Sequence, residues 1–165
     1  MEKSTTAFIR DVAAQFLYPV PTGWERADVG EGPTSGIAPA DVAEAEEGRK
    51  ATVLAGVLEE APGRDPATAA LQLAYGWAQL SDARVSASFA DEESRAIEID
   101  GRRGGTASLV ATFPGSSSGD LRLRVTLVEV ADGYWSYLMG TAHPGAADLI
   151  ADIDAVHEGL LVAIG

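Results

Sequence analysis

The chain has 165 residues, 46% of them hydrophobic, with a formal net charge of −13 and a pI near 4.4. That length suits one domain, residues 1–165, with a proper hydrophobic core. The mean hydropathy of +0.03 excludes the disordered and membrane-embedded classes.

Such an excess of negative charge is repelled by phosphate, so nucleic acid and anionic membrane surfaces are disfavoured as partners. The absence of cysteine removes disulfides, thiol nucleophiles and cysteine zinc sites. The sequence also lacks asparagine, the acceptor for N-glycosylation. No apolar run is long enough to span a bilayer. The start, MEKSTTAFIR, has no basic segment followed by an apolar one and does not read as a signal peptide. The chain as it stands is therefore expected in the cytoplasm, or exported if a leader has been removed.

In chain order, Ser4 to Gln15 is expected to form a short helix with Phe8, Val12 and Phe16 on its apolar edge. Phe16 to Val20 is extended, and the prolines place it at a sheet edge or strand start. Pro21, Thr22 and Gly23 turn the chain toward Trp24. Val29 to Gly48 has little regular pattern and reads as a surface excursion, with a short strand or helical turn near Asp41 to Ala45. Lys50 to Leu58 is apolar on both alternations, as an inner strand covered on both faces requires.

Asp65 caps the next helix with Pro66 at its first position. Ala70, Leu73, Ala74, Trp77 and Leu80 form its predicted buried stripe, and it stops near Ser81 and Asp82. Arg84 to Phe89 alternates as a half-buried strand. Asp91 to Glu93 make a turn or bulge, and Arg95 to Asp100 a further short strand. Gly101 to Gly105 turn the chain into the strand Ala107 to Phe113. PGSSSGD is a flexible loop by composition.

Leu121 to Thr141 is the organising segment. Leu121, Leu123, Val125 and Leu127 alternate with Arg122, Arg124 and Thr126, the period of a half-buried strand. Asp132 and Gly133 then make a hairpin turn before the aromatic-rich YWSYLMG. Trp135, Tyr137 and Met139 share one face of that second strand, and Tyr134 and Leu138 the other, so it is expected inside the sheet. The chain closes with an amphipathic helix from Pro144. Leu149, Ile153, Val156 and Leu160 lie on one side of it, flanked by Ile150 and Leu161. The order gives an α+β layer fold, a mainly antiparallel sheet flanked by helices.

The segments TAFIRDVAAQF, YPVPTGWE and ATVLAGVL, then RAIEIDGRRGG, SLVATF and RVTLVEVADGYWSYLMGTA, together resemble the LpqN/LpqT family of actinobacterial, mostly exported proteins. The resemblance covers nearly the whole chain. It implies a PsbP-like α/β/α sandwich and a non-enzymatic domain with protein-binding or small-ligand-binding roles. It brings no catalytic residues and no cofactor. The chain departs from the exported members in having no leader or lipobox cysteine.

The residues carry no catalytic signature. His143 and His157 are the two histidines. His157, three residues after Asp154, could share a helix face with it in a metal or acid–base pair, with Asp152 and Glu158 near. The simpler reading is a helix-edge histidine bonded locally, with His143 at the helix start. No G-x-S-x-G elbow frames a serine, and Ser116 to Ser118 lie in the flexible loop. Gly101, Gly104 and Gly105 do not lead from a strand into a helix, so no phosphate cradle is read there. Asp91 to Glu93 read as surface charge rather than a glycosidase pair, and Glu44, Glu46 and Glu47 as a solvated loop.

Arg122 and Arg124 share one strand face, with Arg102 and Arg103 in a nearby turn. Such a stripe could dock an anionic partner, or pair internally with the many carboxylates. Trp24, Trp77, Trp135, Tyr134 and Tyr137 could line a pocket, with Trp77 the core residue and Trp135 and Tyr137 open candidates. The candidate binding surface is thus Arg102, Arg103, Arg122, Arg124, Trp135 and Tyr137. The expected function is a binding or scaffold domain with an unknown protein partner. A carrier of a small apolar ligand between sheet and helices is the alternative, and a hydrolase a distant one.

Overall fold

The computed structural model describes residues 7–40, 51–63, 65–81, 86–115 and 120–163. In chain order the elements are β1 (Ala7–Asp11), β2 (Phe16–Val20), β3 (Trp24–Arg26), β4 (Ser35–Pro39), β5 (Thr52–Val57) and α1 (Pro66–Ser81), followed by β6 (Ser88–Ile99), β7 (Arg102–Thr112), β8 (Leu121–Ala131), β9 (Tyr134–Ala142), α2 (Ala147–Glu158) and β10 (Leu161–Val162). Seven strands form an antiparallel sheet in the order β3-β4-β5-β9-β8-β7-β6, and three form a small sheet in the order β1-β2-β10.

The β8–β9 hairpin sits inside the large sheet as its alternation requires. Leu127 lies opposite Gly105 of β7 on one side and Tyr137 of β9 on the other. Gly133 turns the chain with φ 78°, a conformation that costs glycine nothing. β5, apolar on both alternations, is an inner strand between β4 and β9.

The two faces of β8 divide the core. Leu123, Val125 and Leu127 pack with Ala70, Ala74 and Ala78 of α1. Val128 and Val130 join Ile153 and Val156 of α2, together with Phe16 and Tyr18 of the small sheet. The helices therefore cover opposite faces of the large sheet. Two glycines permit the close approach. A Cβ on Gly105 would lie 2.3 Å from the Pro66 carbonyl, and one on Gly140 2.3 Å from Cγ2 of Ile153. The α+β sandwich, mainly antiparallel and flanked by helices, is the architecture expected from the residue pattern.

Several elements differ from expectation. The first segment is the strand β1, not a helix. Its period-2 burial seals Ile9 and Asp11 while Phe8 stays exposed. Asp11 explains the switch, because its carboxylate accepts from the Ala14 amide and from the Thr34 and Ser35 hydroxyls. Those bonds anchor a turn where a helix would have continued.

β2, expected at an edge, is the middle strand of its sheet. Its proline is tolerated because β10 reaches only Leu17 and Phe16, short of Pro19. The excursion from Val29 contains β4, whose Ile37 is fully buried. Glu44, Glu46 and Glu47 lie outside the described residues, as do Ser116 to Ser118. Ala70 and Ala74 of the expected stripe are fully buried, but Leu80 is 73% exposed and Ala78 takes its place in the stripe. The Ala87 to Asp100 region is one strand with a bulge, not two. Its turn is tighter than expected. Asp100 and Gly101 alone reverse the chain, with Ile99 opposite Arg102, so Gly104 and Gly105 belong to β7.

Candidate functional site

α2 packs on β9, β8 and β2, and the sheet extends beyond it to β7 and β6. The uncovered part of that face carries polar side chains in two rows. Glu93, Ser108, Arg124 and Gly140 lie side by side across β6, β7, β8 and β9, and so do Arg95, Thr106, Thr126 and Leu138. Each row runs from the open edge to the strand under α2.

The bulge in β6 creates this arrangement. Phe89 pairs with Ala111 before it and Glu93 with Ser108 after it, so β6 contributes one extra residue. An extra residue exchanges the two faces of a strand. Phe89 consequently packs on the α1 side, while Arg95 points to the α2 side. Asp91 takes φ 54° in the bulge, and Tyr75 of α1 donates a hydrogen bond to Glu92.

The result is a cleft of about 340 Å³. At its floor, Arg122 Nη1 donates to Asp154 Oδ1 at 2.7 Å and Arg124 Nη1 donates to the same oxygen at 3.0 Å. These arginine side chains are only 17% and 10% exposed, against 30% for that of Asp154. Arg124 Nε donates to the Thr106 hydroxyl at 3.2 Å. Thr106 is 2.9 Å from Thr126, which is 2.7 Å from His157 Nδ1. A continuous polar relay thus runs from the cleft floor to the buried histidine.

His157 is sealed between α2 and the sheet. Its bond crosses to another element, so the helix-edge, locally bonded histidine expected from the sequence is corrected. Among the described residues, its Nε2 is the buried side-chain atom without a hydrogen-bond partner. Burial holds its pKa well below the ordinary imidazole value, and the Arg124 and Arg122 charges push it further down. It is a neutral ring in a packed core. His143 sits at the start of α2, where Nδ1 accepts from the Gly145 amide. Asp152 accepts from Trp24 Nε1 at 3.0 Å and so ties β3 to the helix.

The other expected site residues lie elsewhere. Arg102 pairs with Asp132, and Arg103 with Glu129, at the hairpin end of the sheet. The Arg103 hydrogen bond holds the Glu129 carboxyl below the usual carboxylate range. Arg103 also stacks over Trp135, 5.2 Å from the ring centre. Trp135 and Tyr137 are only 4% and 8% exposed, in the core on the α1 side. Tyr137 packs against Trp77 with ring centres 4.8 Å apart. The six residues therefore do not form one surface. Two of them floor the cleft, two sit at the hairpin end, and two are core. Sequence reasoning missed Arg95, Thr106 and Ser108. The bulge at Asp91 to Glu93 was the signal that places Arg95 with Arg122 and Arg124.

No protein-family model matches the chain, and neither does any curated protein. Solved structures do resemble it. The solution structure of cyanobacterial PsbP (CyanoP) from Synechocystis matches at TM-score 0.62 and 13% identity, over 98% of this chain and 94% of that one. The fold is PsbP-like. The Saccharomyces cerevisiae Ran-binding protein Mog1p matches at TM-score 0.63 and 10% identity, over 98% and 97% of the two chains. LpqN of Mycobacterium tuberculosis, a protein involved in cell envelope biogenesis, matches at TM-score 0.60 and 14% identity, over 97% and 91%. Identities this low are a likeness of fold. Among the described residues, no helix is long and apolar enough to cross a membrane.

Proposed function

We propose that the chain is a non-enzymatic binding or scaffold domain that acts through contact with a protein partner. The observation that carries this reading is the arginine-floored cleft. Arg122, Arg124 and Asp154 at its floor are held by ion pairs and hydrogen bonds, and the nearby histidine is sealed beneath them. A cleft with a fixed floor presents donors to a partner without reorganising them. The likeness to a Ran-binding protein adds support, since that relative's described role is binding. Membership of the LpqN/LpqT-like family, an actinobacterial source and export after loss of a leader belong to the same proposal, supported by the likeness to LpqN.

Affinity capture with cross-linking from the source organism tests the reading. A saturable complex with a defined stoichiometry is expected. Hydrolysis of an ester or peptide substrate that Ser108→Ala abolishes without unfolding the protein would overturn it.

A second reading has its own observation. A cavity of about 350 Å³ opens between α1 and the segment after β5, bordered by Leu58, Ala61, Pro62, Leu73 and Leu127. It suits a small apolar ligand. Saturable enhancement of a fluorescent fatty-acid probe, lost in Leu73→Glu, would favour that carrier role.

A further inference from the structure

We infer that the cleft between β6 and α2 binds carboxylate groups, with Arg95, Arg122 and Arg124 as the donors. The inference rests on the binding-domain reading and deepens it by naming the ligand chemistry.

The argument begins with an imbalance of donors. A guanidinium carries five N–H groups in a planar fork. Arg122 and Arg124 share a single carboxylate, Asp154, through two and one of their N–H nitrogens, and Arg124 adds one bond to Thr106. Most of their donors have no partner among the described residues. Among the described residues no arginine atom is both sealed and unpartnered, and both side chains line the cleft. Water alone fills that role poorly for a floor already withdrawn from solvent, where a charged acceptor gains most.

Arg95 supplies the third cation. It stands on the same face, in register with Thr106, and it lines the cleft with no ion pair among the described residues. Ser108 lies in the other row, between Glu93 and Arg124, and its side chain lines the cleft. A carboxylate resting over Ser108 would have Arg124 as its neighbour across β8 and Arg95 on the diagonal in β6. Bidentate guanidinium–carboxylate pairing gives both the strength and the orientation.

Two carboxylates oppose this and define the test. Glu158, well exposed, lies 3.8 Å from Arg124, and Glu93 lies across from Ser108. Both compete with an incoming acid. Asp154 already takes two donors of Arg122 and one of Arg124, so an incoming acid meets the remaining N–H groups and Arg95.

The experiment is a titration of the isotope-labelled protein followed by NMR, including the arginine Nε–Hε signals. Citrate and a tetraglutamate peptide are the probes. Saturable shifts are expected at Arg95, Arg122, Arg124 and Ser108. Arg95→Ala, at an exposed position with no ion pair among the described residues, should weaken binding about tenfold. Glu158→Gln should strengthen it, since it frees Arg124 from a competing charge. Binding of the peptide alone assigns the site to an acidic polypeptide segment, and binding of citrate alone to a free organic acid. Either result supports a carboxylate site. Shifts that spread over Arg10, Arg26 and the rest of the surface, or no saturation with either probe, overturn it. So does a Glu158→Gln variant that binds more weakly while remaining folded. A protein partner cross-linked only elsewhere on the molecule would sink the cleft and leave the binding-domain reading standing.

Discussion

Replacing Gly105 by alanine should lift α1 from the sheet. The added Cβ would lie 2.3 Å from the Pro66 carbonyl carbon and oxygen and 2.5 Å from the Ala67 nitrogen. All three are backbone atoms, so no side-chain rotation relieves the clash. Ordinary van der Waals contact begins near 3.4 Å, so the start of α1 must retreat by about 1 Å. Ala70, Ala74 and Ala78 have no exposure and no slack against the strands. Overpacking of this kind costs about 1–3 kcal/mol, and a backbone clash belongs at the upper end. For a chain of this size that lowers Tm by roughly 2–12 °C.

The assay is urea unfolding read by far-UV circular dichroism and tryptophan fluorescence. Trp77 and Trp135 report on that face. The midpoint should fall with the slope unchanged. Gly76→Ala is the control. Gly76 lies in α1 with nothing within 4 Å of the added Cβ, so the change should stabilise by about 0.5–1 kcal/mol. If Gly105→Ala melts with the parent, or if both substitutions move the midpoint the same way, the close approach of α1 to β7 is not what glycine serves there.

Trp135→Ala should cost about 3–5 kcal/mol, because a ring this buried leaves a cavity among the α1-side residues; an unchanged denaturation midpoint would contradict its core placement. Asp154→Ala should cost about 1–3 kcal/mol, since two guanidiniums lose their shared acceptor and repel, and the loss should shrink in the double variant Asp154→Ala with Arg122→Met. His157 gives a pH dependence of known sign. Burial and the two arginines depress its folded pKa, so its contribution to stability is complete above about pH 6.5 and is lost as pH falls toward the folded value. Measured against His157→Gln, the parent should lose up to about 1.4 kcal/mol per pH unit below that point; parallel curves for the two proteins would refute the sealed neutral ring.

The sequence by itself determined the elements with an unambiguous period or start signal. The alternation of Leu121 to Leu127, the Asp132-Gly133 turn, the two-sided run of β5 and the Asp65-Pro66 helix start all encode local geometry, and each formed where its pattern said. The first segment was misleading for a physical reason. A few apolar residues at helical spacing are outweighed by the carboxylate of Asp11, whose partners Thr34 and Ser35 arrive from another strand. The glycine-rich turn was likewise underdetermined, because glycine serves both turns and close approach, and only α1 lying on Gly105 decides between them.

The cleft was legible in half. Arg122 and Arg124 share a face by simple alternation, and Asp154 shares a helix side with His157. Which side of the sheet Arg95 faces depends on one extra residue in β6. How far α2 reaches depends on the steric fit of Ile153 over Gly140. That the strand of Trp135 and Tyr137 is covered follows from its two apolar faces, but that α1 is the helix over them does not. These are long-range packing outcomes, set by elements far apart in the chain, and no local period records them.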